Sequence, residues 1–169
     1  MSDSAHDNSG VVRVDLKRAD LSELVKSDSW LKDAPLLLAL GDAAGQVLHQ
    51  ATGRRYPQGV SLFARDDDSD SLFLVLKGEV RLFLQQGTER VELGVAGRGD
   101  VLGEAEVLDG HGPRGYSAAA AVDVDAVEIP RLALLDVGDS QRTLLKFLNG
   151  VRTQRRAALE AMADFLQRW

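Results

Sequence analysis

The residues of this chain best suited to chemistry lie between Gly99 and Ser117, in the stretch G-D-V-L-G-E-A-E-V-L-D-G-H-G-P-R-G-Y-S. Their types point to anion binding rather than catalysis. Gly99 and Gly103 let the backbone approach a ligand closely and adopt positive φ. Successive free N–H groups in such a turn form a concavity that accepts an anion. Arg114, eleven residues past Gly103, supplies a planar fork of donors for a phosphate. Glu104 cannot assist a phosphate, but it is a strong acceptor for a ligand hydroxyl. The plainer alternative is a set of tight turns, with the Glu and the Arg as a surface ion pair.

Composition narrows the possible functions. The chain has 169 residues, enough for one well-formed core or for one domain plus a long helix. Hydrophobic residues at 44% and charged residues at 27% describe an ordinary globular protein. A net charge of −6 argues against direct DNA binding and against an acidic membrane surface, both of which need a basic face. The absence of cysteine excludes disulfides, iron–sulphur clusters and cysteine nucleophiles. His6, His49 and His111 are too scattered to suggest a metal. No Ser-His-Asp signature is recognisable, so the chain is not expected to be an enzyme. With neither a signal peptide nor an apolar run of membrane-spanning length, a cytoplasmic protein is the default expectation.

The elements that must position the glycine-rich stretch can be read in order. Residues 1–19 are expected to be a disordered lead-in, with Val11 to Leu16 a short strand or extended segment. Asp20, with Glu23 three residues on, can cap a first helix. Trp30, Leu31 and the leucines around Pro35 anchor the next segment, and Asp42 begins a helix at about Ala43 to Thr52 with Val47 and Leu48 inward. From Tyr56 to Ile129 the texture is short β runs broken by turns, as in an antiparallel barrel or roll. Leu72 to Leu76 is continuously apolar, like a strand buried on both faces. Val80, Leu82 and Leu84 alternate with Arg81 and Gln85, Gly87-Thr88 makes a hairpin tip, and Arg90 to Leu93 returns. Ser117 to Val122 and Ala126 to Ile129 are expected to make the last pair of strands, with Asp123 to Asp125 at the turn.

The acidic run Asp66 to Asp70 lacks the glycine and glutamate of a calcium loop and reads as a solvated turn. Gly94 to Gly99 has the wrong order for a nucleotide fingerprint.

The sequence order of these features resembles that of the cyclic-nucleotide-binding domain. Tyr56-Pro-Gln-Gly59, Val60 to Ala64, the acidic turn Asp66 to Ser71, Leu72 to Lys77, Gly78-Glu79-Val80 and Gly99 to Glu104 follow one another as they do there. The family includes the catabolite-activator transcription factors, regulatory subunits of cyclic-nucleotide-dependent kinases, and gated channels. The resemblance covers roughly residues 28 to 169. Its most specific part, Gly103-Glu104 through Pro113-Arg114, has the length of the bacterial phosphate-binding cassette. It implies an α+β fold: an antiparallel double-stranded β-helix, or jelly-roll-like β-roll, flanked by N-terminal helices and a long C-terminal helix. It implies domain limits of 20–138, with helices over 20–52 and the β-roll over 56–129, followed by an output helix over 139–169. It also implies a cyclic mononucleotide ligand, cyclic AMP or cyclic GMP. The phosphate falls to Gly103 and Arg114 and the ribose 2′-hydroxyl to Glu104, with Ala105, Glu106, Pro113, Gly115, Leu159 and Glu160 completing the expected ligand-binding set.

Three places depart from the family pattern. Glu106 stands where a small residue presents its N–H to the phosphate, and a carboxylate there repels a phosphate unless it points away. Gly115 follows the arginine where many members have Ser or Thr. An ungapped count puts Leu159 and Glu160 opposite the base.

From Arg131 the period becomes helical. After a short helix ending near Gly138, Asp139 or Ser140 can cap a long one. Leu144, Leu148, Val151, Arg155, Ala158, Met162, Phe165 and Trp169 form a seam of about four heptads, broken only by Arg155. About thirty helical residues extend ~45 Å. The favoured expectation is a homodimer through this helix; the alternative is a helix packing its stripe on its own domain. The chain ends without a winged helix-turn-helix, so its output is expected to be a protein partner or a downstream domain. Two functions stay open: a nucleotide-sensing module, or a degenerate domain that binds no nucleotide and acts as a dimerisation or docking scaffold.

Overall fold

The structure, a computed structural model, describes residues 12–14 and 30–167. The expected helix at Asp20, most of the 1–19 lead-in and the seam's last residue, Trp169, lie outside the described residues. Among the described residues, nine strands form two main antiparallel sheets. The first runs β1 (Val12–Val14), β2 (Thr52–Tyr56), β11 (Val124–Ile129), β5 (Leu72–Lys77) and β8 (Val101–Leu102). The second runs β3 (Ser61–Phe63), β10 (Ser117–Ala120), β6 (Val80–Gln86) and β7 (Glu89–Ala96). A small ladder pairs β4 (Asp68–Ser69) with β9 (Gly112–Pro113). The expected jelly-roll-like α+β architecture is what the chain adopts.

Strand β5 explains the layering. Phe73 and Val75 belong to the core enclosed between the two sheets, with Tyr56, Phe63, Val80, Leu82, Leu102 and Tyr116. Leu72 and Leu74 belong to a second core, between the first sheet and the helices. Successive strand residues point to opposite faces, so an unbroken apolar run feeds both cores. Helix α1 (Pro35–Leu40) starts on proline, which fits the first turn because its missing N–H would be unbonded there anyway. Helix α2 (Ala44–His49) buries Val47 and Leu48 as expected. It is shorter than expected, because β-branched Thr52 opens strand β2 instead of extending the helix. Strand β7 likewise continues past Leu93 to Ala96, its register shifted opposite Leu82 and Phe83. Asp66 holds a left-handed φ of 74° in the acidic turn, a conformation that aspartate tolerates better than most residues. The expected last strand pair does not form: β10 and β11 lie in different sheets, and Val124 and Asp125 belong to β11 instead of a turn.

After α3 (Glu104–Asp109) and α4 (Arg131–Leu135), helix α5 (Gln141–Gln167) returns across the domain. Ser140 does not cap it; its hydroxyl donates to the Leu40 carbonyl at the end of α1, 2.6 Å away. The first half of the expected dimer seam is turned inward. Leu144 and Leu148 are 1% exposed in the helical core of their own chain, and Val151 packs beside them. The apolar leucine cluster of α1 and α2 needs a cover, and this stripe provides it. Among the described residues no helix is long and apolar enough to cross a membrane.

Candidate functional site

The glycine-rich stretch folds into a turn, the six-residue helix α3 and the β9 ladder. Gly103 precedes the helix at φ 87°, and a Cβ there would lie 2.3 Å from Arg114 Nη1 and 2.6 Å from the Ser71 carbonyl. Only glycine fits. Gly103→Ala is therefore expected to destabilise the protein by about 2 kcal/mol or more, because left-handed strain and a clash with fixed backbone add. Urea unfolding reads this, and a loss below about 0.5 kcal/mol would contradict the close approach.

The segment leaving β9 carries Arg114 into the space between the sheets, where it is 2% exposed. Its backbone is fixed first: its N–H donates to the Asp67 carbonyl and its carbonyl accepts from Asp66 N–H, at 2.8 and 2.9 Å. The guanidinium lies 4.4 Å from the centroid of Phe63 and 5.6 Å from that of Phe73. Nη2 donates to the hydroxyls of Ser69 and Ser71 at 3.0 and 3.2 Å. Nη1 donates to Glu106 Oε2 at 2.9 Å. Nε is buried and has no partner among the described residues. Ser71 in turn donates to Glu128, which also accepts from Arg54.

The first-turn carboxylates of α3 diverge. Glu106, 6% exposed, is aimed at Arg114. Burial pushes its carboxyl above the ordinary range, while the guanidinium pulls it back. Glu104, 1% exposed, accepts from the Tyr116 hydroxyl at 3.4 Å and from Arg155 of helix α5. Burial first, and then Glu104, hold the Tyr116 phenol far above its ordinary value, so it remains a neutral donor. A third pair joins Asp109 to Arg152 at 2.9 Å, and Arg131 Nε donates to the Val107 carbonyl at 3.0 Å. The acidic helix E-A-E-V-L-D is thus held by four arginines from β9's exit, α4 and α5.

The expected residues separate into two groups. Gly103, Glu104, Glu106 and Arg114 come together in one buried cluster, and Ala105 sits beside it with its N–H on Glu104 Oε2 at 3.2 Å. Pro113 and Gly115 are exposed on either side of the arginine. On the C-terminal helix, Leu159 packs half-buried against the inter-sheet core, and Glu160 is exposed without a hydrogen bond or ion pair among the described residues. The α5 residue that reaches the cassette is Arg155. Its signal was present in the sequence, as the single charge interrupting an apolar seam. Ser69 and Ser71 were masked by the aspartates around them. The Glu–Arg pair of the plainer alternative does form, but buried and between Glu106 and Arg114. An apolar groove of about 630 Å³ between α1 and α5, lined by Leu38, Phe147 and Val151 among others, includes none of these candidates.

A family model for the cyclic nucleotide-binding domain matches residues 53–141. The chain belongs to that family. The cyclic AMP receptor protein of Thermus thermophilus is 36% identical over 104 residues, covering 60% of this chain and 47% of that protein. The cGMP-dependent 3',5'-cGMP phosphodiesterase A of Dictyostelium discoideum is 26% identical over 129 residues, which are 76% of this chain and 14% of that protein. Among solved structures, the Thermus thermophilus catabolite activator protein aligns with a TM-score of 0.64 at 29% identity, over 79% of this chain and 63% of that one. The chain therefore spans about half the length of the Thermus receptor it matches. The matched domain is regulatory in kind, and the described residues form its β-roll.

Proposed function

We propose that this chain is a ligand-sensing module that binds a cyclic mononucleotide, cyclic AMP or cyclic GMP, at the cassette and signals through helix α5. The observation that carries the reading is Arg114: a guanidinium buried to 2% exposure, seated on a phenylalanine, held by two serine hydroxyls and left with an unbonded Nε. Burying a guanidinium is costly, and a planar donor fork with spare capacity suits a phosphate. In this reading Arg114 takes the cyclic phosphate together with backbone N–H groups after Gly103, and Glu104 takes the ribose 2′-hydroxyl. Glu104 then exchanges part of its contact with Arg155 for the ligand, which links occupancy to α5 and onward to a protein partner or downstream domain.

Calorimetry with cyclic AMP and cyclic GMP on the full chain tests binding. Glu104→Gln is expected to weaken a 3′,5′-cyclic ribonucleotide by roughly tenfold, since a charged acceptor is replaced by a neutral one. The 2′-deoxy analogue should be nearly unaffected, and equal losses for both ligands would make Glu104 purely structural. A second reading, a degenerate domain serving as a dimerisation or docking scaffold, is favoured by the Glu106 carboxylate on Arg114. A folded chain that gives no heat with either nucleotide would support it.

A further inference from the structure

We infer that Glu106 is an internal anion seated on the phosphate-binding arginine, so that ligand binding here is the exchange of one anion for another. The inference rests on reading Arg114 as the phosphate ligand.

Charge balance comes first. Two guanidinium groups, Arg114 and Arg155, face two carboxylates, Glu106 and Glu104, and all four side chains are mostly buried. The cluster is neutral as it stands. A cyclic phosphate added to it would leave a surplus negative charge away from water, which is strongly unfavourable unless a carboxylate leaves or takes a proton. Glu104 is held by Arg155 and Tyr116 and has its own role toward a hydroxyl. Glu106 is the carboxylate that would have to yield.

Geometry agrees. Among the described residues Glu106 is the one ion-pair partner of Arg114, bonded through Nη1, while Nη2 is taken by neutral serine hydroxyls. The carboxylate thus occupies a guanidinium N–H that a phosphate would use. The segment carrying it can reset: α3 runs between Gly103 at φ 87° and Gly110 at φ 103°, and a Cβ at Gly110 would meet nothing within 4 Å. Glu106 therefore sets affinity. It keeps the apo cluster neutral and raises the ligand concentration needed to open it.

The test compares the full wild-type chain with Glu106→Ala and Glu106→Gln. Glutamine keeps the volume and an acceptor for Arg114, guarding against a variant that fails to fold. Calorimetry with cyclic AMP and cyclic GMP reads affinity, and thermal unfolding with inorganic phosphate reads the anion subsite independently. Both variants should melt below wild type without ligand, and should bind the preferred nucleotide at least about tenfold more tightly, because the internal competitor is gone. Binding by the variants where wild type shows none would also support the inference. Wild-type binding with equal or weaker binding by both variants would overturn it and leave the nucleotide reading intact. Stabilisation of Glu106→Gln by phosphate, with no response to either nucleotide in any protein, would uphold the anion exchange and overturn the nucleotide reading. No response to nucleotide or phosphate in any protein would overturn both.

Discussion

Arg114→Ala is expected to lower the stability of the unliganded protein by about 3–5 kcal/mol, besides abolishing any nucleotide binding, because it leaves a buried carboxylate without its partner. The stranded group is Glu106, 6% exposed and paired to Arg114 at 2.9 Å. Removing the carboxylate as well should restore part of the loss, so Arg114→Ala/Glu106→Ala should be more stable than Arg114→Ala alone. The pH dependence has a definite sign. With its guanidinium gone, nothing offsets the burial that already pushes Glu106 upward. The folded variant then binds more protons than the unfolded chain, so its stability falls as pH rises, and the deficit should widen from about pH 5 to about pH 8. Urea unfolding across that range measures both effects. A loss within about 1 kcal/mol of wild type at every pH would contradict the buried pair.

Leu148→Glu is expected to prevent folding or to cost more than about 4 kcal/mol. Burial of a leucine contributes about 1.5–3 kcal/mol, and an unpaired carboxylate in its place adds a desolvation cost of similar size or larger. Leu148 is 1% exposed against the leucines of α1 and α2. Met162, about four turns on and half-buried, is a different case, and Met162→Glu should cost less than about 1 kcal/mol. Circular dichroism and light scattering separate the outcomes. A Leu148→Glu protein that keeps its fold and loses half its molar mass would return the seam to an intermolecular role. Any homodimer contact along α5 is proposed for the half beyond Arg155, where Ala158 and Met162 are not covered by the helical core.

The fold was legible wherever local pattern and tertiary environment agree. Leu72 to Leu76 read as a doubly buried strand because each face meets a core, and Gly87-Thr88 read as a hairpin tip because two strands flank it directly. Thr52 was missed because its strand pairs with β11, far away in sequence, and Val95 because the register shift opposite Leu82 and Phe83 breaks the hairpin's simple alternation. In the site, the cassette motif brought out Gly103, Glu104 and Arg114, whose spacing is local. What Glu106 contacts was not legible. Whether a carboxylate at that position faces water or a guanidinium depends on how the segment after Pro113 swings Arg114 inward. The seam on α5 was legible as a stripe, but its first half, Leu144 and Leu148, is covered by the chain's own helical core, since periodicity records which side is buried and not what buries it.

Strand β5 also has a consequence for how the domain behaves as a material. Phe73 lies beside the Arg114 guanidinium on one side of the strand, while Leu72 and Leu74 contribute on the other side to the core that seats Leu144 and Leu148. The Arg114 cluster and the seat of Leu144 and Leu148 therefore lie on opposite faces of one strand, while Arg155 further along α5 reaches Glu104 directly. Close-packed interiors transmit displacement instead of absorbing it. The two cores cannot melt as independent units, and a change of side-chain volume on either face of this strand has to be accommodated on both.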